Sequence, residues 1–373
     1  MVARETGDRE AVRLSRRTLL QRALSAAALG VLGIACQAPA PRAAPPSPSG
    51  APAPPAGGPA TAPTPSVALA RRQSVKIAWT AITGAQSGVW MAYETGAWQE
   101  LGLDVELVRL GSSTQMAASL RAGEIDGGVL DWALAFQFVA QGGNARQVAA
   151  ITNRQPFSVI SVPSITRPQE VVGKRWGITR IGSAIHTASL LALEQWGLRP
   201  EDVQFLALQE VPAILAAMQA GQIDVGVMSP PTNTRAIQAG FRELLDLAEA
   251  GPEFPSVAMA ILDRHIEEQP DLVRAYVAGY SLGVARFRRD RERALEVLRK
   301  YLQLDDEAIL VDTHARFSRY LAFPPRLPMA SLPRVKESVV QEDPRVANVA
   351  ISDVADPRFV EELEAMGFFA NLL

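Results

Sequence analysis

Cysteine is almost absent from this chain, with a single residue in 373. That excludes a disulfide scaffold, a cysteine-ligated zinc site and an iron–sulfur cluster. Three histidines, far apart in sequence, leave little material for a metal centre, and no metal or other cofactor is expected. An excess of charge of one sign is also missing. The 39 acids nearly balance the 37 bases, and no basic block is interleaved with aromatics, so no nucleic-acid partner is expected. G-x-G-x-x-G, the Walker loop, H-E-x-x-H and G-x-S-x-G are all lacking. What is present is apolar material, 48% of the residues, enough for two or three globular units.

The N-terminus is the first informative stretch. Residues 15–21 read SRRTLLQ, and an uncharged run of 13 residues, ALSAAALGVLGIA, follows at 23–35. A membrane-crossing helix needs roughly 20 apolar residues, so this run is too short to span. A basic segment before a short apolar one is an export signal, and the arginine pair resembles the twin-arginine class. The run ends Gly33-Ile34-Ala35-Cys36, which resembles a bacterial lipobox, so 1–35 is expected to be a signal peptide and Cys36 to carry lipid. The alternative is an ordinary signal peptide with an incidental cysteine. Cleavage there leaves 31 bases against 36 acids. Residues 37–66 hold 11 of the 27 prolines among Ala, Gly, Ser and Thr. That composition cannot bury a core, so 36–73 is expected to be a lipid-anchored disordered tether, with the body beginning near Ser74.

The body repeats itself. LRAGEIDGGV at 120–129 and MQAGQIDVGV at 218–227 agree at six of ten positions, including Gly123/Gly221, Ile125/Ile223, Asp126/Asp224 and Gly128/Gly226. The pattern reads as a helix closed by a left-handed glycine, an inward Ile, a turn Asp and a short strand. VKIAW (75–79) and KRWGI (174–178) open the two halves, and VELVRL (105–110) and VQFLAL (203–208) are second strands. Helices are expected over 89–100, 114–122, 184–196 and 212–220. Each half is then β-α-β-α-β, which argues parallel sheets flanked by helices. After these, SVAMAILD (256–263) returns to a strand pattern. Helices are expected over 270–289 and 291–302, then an irregular Pro-rich segment and a last helix near 358–366, packing back on the first lobe. The expected division is 74–162 with 256–373 as lobe 1 and 163–255 as lobe 2, with crossings near 160–164 and 252–257 forming a hinge.

In open α/β sheets, ligands bind beyond the C-terminal strand ends, where helix N-termini expose N–H groups. Two such lobes make a cleft that closes like jaws. Its tips are TAITGAQSGVW (80–90), GSST (111–114) and Asp131-Trp132 in the first half. In the second they are TRIGSAIH (179–186), QEVP (209–212) and MSPPTN (228–233). Ser112 and Ser183 either donate hydroxyls to a ligand or cap their own helices. His186 either donates to a ligand or packs neutral. Asp131 either binds a donor group or caps the next helix. Trp132 and Phe157 either stack on a flat ligand or belong to the core. Trp90 reads as packing, Arg154 and Arg180 as possible counter-ions or solvated arginines, and His265 and His314 as surface residues.

The runs GVWMAYETGAWQELGLDVELV, RAGEIDGGVLD, VVGKRWGITRIGSAIH and AGQIDVGVMSPPTN resemble the substrate-binding proteins of nitrate/sulfonate/taurine-type ABC importers, a group that includes binders of the thiamine pyrimidine precursor. The resemblance covers about 75–370. It implies a type II periplasmic-binding-protein fold of two α/β lobes with a double crossover hinge, and a small solute in the interlobe cleft. It also implies as partners an ABC permease and its ATPase. As ligand-binding residues it implies Thr83, Gln86, Ser112, Ser113, Asp131, Ser183, His186 and Pro230, to which Trp132 is added from its strand-tip position. A monomeric, non-catalytic capture protein is expected. The alternatives are an enzyme on the same scaffold, either pyrimidine synthase-like or a lyase using Asp131, and a sensory ligand-input protein. The synthases depend on a cysteine-rich segment and a histidine, and this body has no cysteine.

Overall fold

The computed structural model describes residues 67–111 and 113–372. The expected signal peptide, Cys36 and most of the expected tether lie outside these residues, as does Ser112.

Among the described residues, ten strands form two five-stranded sheets. In chain order they are β1 Gln73–Trp79, β2 Leu103–Arg109, β3 Gly127–Asp131, β4 Ala145–Ala150, β5 Ser158–Ser161, β6 Arg175–Ile178, β7 Gln204–Ala207, β8 Val225–Met228, β9 Arg242–Asp246 and β10 Val257–Leu262. The first sheet has the order β2-β1-β3-β10-β4 and the second β7-β6-β8-β5-β9. The two orders are the same pattern written twice. In each, the first three strands of the half are parallel, and the fourth is antiparallel to its neighbours: β10 against β3 and β4, β5 against β8 and β9. The sheets are therefore mixed, not purely parallel as expected.

Those antiparallel strands are exchanged between lobes. After β4 the chain crosses at 151–157 to place β5 in the second sheet, and after β9 it returns at 251–256 to place β10 in the first. The expected lobe boundary after residue 162 is thus corrected. All four residues of β5 are buried between β8 and β9, so Ser158–Ser161 belongs to the second lobe. The crossings hold each other: the Ile151 and Thr152 amides donate to the Val257 carbonyl, and the Ser256 amide donates to the Thr152 carbonyl. Gln155, buried, donates from Nε2 to the carbonyls of Phe254 and Pro255.

The body begins earlier than expected. Val67 and Leu69 pack against the first core, and the Leu69 amide donates to Leu101 at 2.9 Å. Apolar side chains four and six residues ahead of β1 have a core to join, so 67–73 is part of the body.

The helix Pro270–Arg289 packs against Ser87–Glu94 in the first lobe. A Cβ on Gly283 would lie 2.3 Å from the Gly88 carbonyl oxygen, and one on Gly88 would lie 2.7 Å from the Tyr280 ring. Two glycines therefore let the helices approach backbone to backbone. Trp90, fully buried, stacks on Tyr301 at 4.7 Å and meets Trp79 edge-on at 5.2 Å, which is the packing role expected for it.

The segment expected to be irregular contains two helices of nine residues or more, Glu307–Tyr320 and Leu332–Val340, and a single helical turn, Ile351–Val354. Asp306 caps the first by accepting the Ile309 amide, and Ile309, Leu310, Thr313, Phe317 and Tyr320 form its buried stripe. The prolines around it bound the helices instead of breaking them. Pro333 sits in the first turn of the second, where its missing N–H costs nothing.

Candidate functional site

The loop after β1 carries a one-turn 3-10 helix, Gly84–Gln86, that leads into Ser87–Glu94. The Gln86 amide donates to the Thr83 carbonyl at 3.1 Å, and Ser87 Oγ donates to the Gly84 carbonyl at 2.6 Å. The loop is pressed against Glu307–Tyr320: a Cβ on Gly84 would lie 2.1 Å from the Phe317 ring. Within it, Thr83 Oγ1 and Gln86 Oε1 are buried and have no hydrogen-bond partner, and Gln86 is only 2% exposed. Thr313, one turn before Phe317 on the neighbouring helix, is fully buried with Oγ1 in the same condition. A buried polar group left unmade costs about 1–3 kcal/mol, so a concentration of such atoms beyond the C-terminal end of β1 points to a ligand.

The other first-lobe tips are committed differently. Asp131 Oδ1 accepts the amides of Ala133 and Leu134 at 2.8 and 3.1 Å, capping the helix Trp132–Ala140. Burial pushes its carboxyl pKa up, against the pull of those two amides. The cap reading of Asp131 is the one realised. Trp132 is fully buried in a cluster with Phe136, Ala150 and Leu191. Ser113 begins the helix Ser113–Ala122. Phe157 packs against the second-lobe core.

In the second lobe, Ser183 caps Ala184–Gln195. Its Oγ accepts the His186 amide at 3.2 Å and the Thr179 hydroxyl at 2.8 Å, and donates to the Arg180 carbonyl at 2.8 Å. A serine hydroxyl has one donor and two acceptor positions, so Ser183 is fully spent on its own helix start. His186 Nδ1 accepts the Gly182 amide at 3.1 Å, and its ring meets Phe205 edge-on. Burial holds its pKa below the ordinary value. The imidazole is therefore neutral at pH 7, with its proton on Nε2, the one nitrogen left to donate. Pro230 is buried, joined to Pro231 by a cis bond, and precedes the helix Thr232–Gln238.

That last helix and Glu307–Tyr320 tie the lobes together. Thr234 Oγ1 donates to Asp312 Oδ2 across the lobes at 2.6 Å, while the adjacent Asn233, fully buried, fixes the helix within the second lobe by donating from Nδ2 to Ser158 Oγ at 2.9 Å. Arg316 reaches Glu243 and Asp246 of β9, both at 2.9 Å, and Tyr320 donates to Asp246. One first-lobe helix thus backs the Thr83–Gln86 loop on one side and grips the second lobe on the other. Sequence reasoning missed Thr313, Asp312 and Ser158, and had Asn233 only as the end of the MSPPTN tip. The available signal was the Asp306 cap followed by an apolar stripe at helical spacing.

His265 and His314, expected at the surface, are buried. His265 bonds Asp126 and Gln269, and His314 Nε2 bonds the Phe287 carbonyl while its ring packs on Phe287.

Two lobes of one topology, exchanging a strand each and joined by paired crossings, define the fold of the periplasmic binding proteins. The aliphatic sulphonate-binding protein SsuA of Escherichia coli has it, with a TM-score of 0.63 at 19% identity over 75% of this chain and 95% of that one. The nitrate-binding protein NrtA of Synechocystis PCC 6803 has it too, with a TM-score of 0.64 at 12% identity over 81% of this chain and 91% of that one. The chain belongs to the NMT1/THI5-like family, whose model matches residues 85–294. The taurine-binding periplasmic protein of Escherichia coli (strain K12) is 28% identical over 193 residues, covering 50% of this chain. The matched stretch spans 53% of that relative, about half its length.

Proposed function

We propose that this protein is the extracytoplasmic solute-binding component of an ABC importer. It captures one small solute between its lobes and presents the closed form to a permease. The observation that carries this reading is the trio Thr83 Oγ1, Gln86 Oε1 and Thr313 Oγ1, buried and unpartnered in the loop after β1 and on the helix Glu307–Tyr320, which also holds the second lobe. A solute satisfying those atoms strengthens the closed arrangement, because it gains contacts that an open lobe cannot offer. His186 Nε2–H and the exposed loop 179–182 supply the second lobe's side. The protein binds without turnover, is exported, and is held at the outer face of the cytoplasmic membrane by lipid on Cys36. Membership of the family, and relatives named for taurine, sulphonate and nitrate binding, support this reading.

The test is a melting-temperature screen against taurine, alkanesulfonates, nitrate, pyrimidines and aromatic acids. A true ligand raises the midpoint by mass action and is recovered unchanged. Recovery of a chemically altered solute would make the protein an enzyme, and Cys36→Ser chains still acylated would remove the anchor.

A further inference from the structure

We propose that the hinge carries a second binding site, for a small oxyanion. A hollow of about 350 Å³ opens between the first crossing, the second-lobe helix Leu247–Ala250 and the first-lobe residues Arg288 and 319–323. Three guanidiniums line it, those of Arg154, Arg288 and Arg319, against one carboxylate, that of Glu249. Glu249 is taken by Arg319 at 2.5 Å. The other two arginines have no carboxylate within ion-pair distance among the described residues. Arg154 Nη1 donates to the main-chain carbonyl of Glu249 at 2.7 Å. Arg288 Nη2 donates to the Leu321 carbonyl at 2.7 Å and its guanidinium lies 5.4 Å over the Phe323 ring, while Nε is buried without a partner.

A half-buried cation with an unsatisfied N–H is costly unless an anion completes it. Burial accordingly pushes the Arg288 pKa down. Asn153, on the same wall, donates from Nδ2 to the Arg326 carbonyl and leaves Oδ1 buried and unpartnered, an acceptor for a protonated oxygen of the anion. Planar guanidiniums converging on one hollow match the paired oxygens of a phosphate or carboxylate. Because the walls belong to both lobes and to the crossing between them, an anion here ties the lobes from the hinge side. This site is separate from the proposed solute cleft and does not depend on it.

The experiment follows the melting temperature of the full chain during titration with inorganic phosphate, against sodium chloride at matched ionic strength. A sodium acetate arm separates a tetrahedral from a carboxylate ligand. Phosphate excluded from protein surfaces stabilises in a way that grows steadily with concentration and ignores single substitutions, whereas a site saturates. The expected result is a saturating rise reaching about 4 °C at a hundredfold excess over Kd. Arg154→Gln and Arg288→Gln weaken the half-saturating concentration at least tenfold, and Arg199→Gln, outside the hollow, leaves it unchanged. Glu249→Gln, which removes the competing carboxylate, tightens it. Arg154 bonds only a carbonyl here, so its variant carries the test if Arg288→Gln does not fold. A rise without saturation in both the phosphate and acetate arms overturns the proposal. So does a saturating rise that survives Arg154→Gln, or one that Glu249→Gln fails to tighten.

Discussion

Asp126 and Asp224 hold the same post in the two lobes. Asp126 exchanges bonds with Lys76, its own amide donating to the Lys76 carbonyl and its Oδ2 accepting the Lys76 amide, both at 2.8 Å. Asp224 does the same with Arg175, at 2.9 and 3.1 Å. Burial raises the Asp126 pKa, but bonds from His265, the Lys76 amide and Arg264 outweigh it and hold the carboxyl at about 2. A carboxyl depressed in the folded state stabilises above its unfolded pKa, and that contribution is lost as pH falls through the folded value. Asp126→Asn should therefore cost about 2 kcal/mol at pH 7, with the deficit shrinking from about pH 4 down to pH 2. Urea unfolding of both proteins across that range checks it, and a pH-independent deficit would mean the charge is irrelevant. The repeat was legible in the sequence because its physics is local: Gly123 and Gly221 have φ of +69° and +68°, which only glycine adopts freely. The roles of Ser183 and Asp131 were not legible. A helix cap and a ligand donor demand the same residue at the same place, and only the count of satisfied bonds separates them.

At the scale of elements, the crossing of Pro270–Arg289 over Ser87–Glu94 positions the Thr83–Gln86 loop. Gly283→Ala puts a methyl within 2.3 Å of the Gly88 carbonyl oxygen and 2.6 Å of the Ala92 Cβ, which backbone cannot yield cheaply. The expected destabilisation is about 1–3 kcal/mol, read by thermal denaturation. A neutral result would show that the helices can slide apart. Helices 270–289 and 291–302 were readable to the residue, since Pro270 opens the first, Asp290 caps the second and both sustain apolar stripes. Strands β4, β5 and β9 were not. ARQVAA is alanine-rich, SVIS has four residues, and RELLD is an edge strand whose charges serve Arg316. Their strand character comes from the partners across the sheet, not from their own pattern. Helix Glu307–Tyr320 was hidden by neighbouring prolines, and with it went Thr313.

For the whole molecule, the strand exchange has a mechanical consequence. Each sheet contains one strand delivered by a crossing, so an opening of the lobes that keeps both sheets intact has to be taken up at 151–157 and 251–256. The proposed solute lies between the Thr83–Gln86 loop with Thr313 on one side and the second-lobe tips on the other. Calorimetric titration with the best solute of the screen, run on the wild type and on Thr83→Val/Gln86→Leu, tests this placement most directly. One site per chain and at least tenfold weaker binding in the variant are expected, since both substitutions remove the unpartnered oxygens. Equal affinity in a correctly folded variant would contradict it.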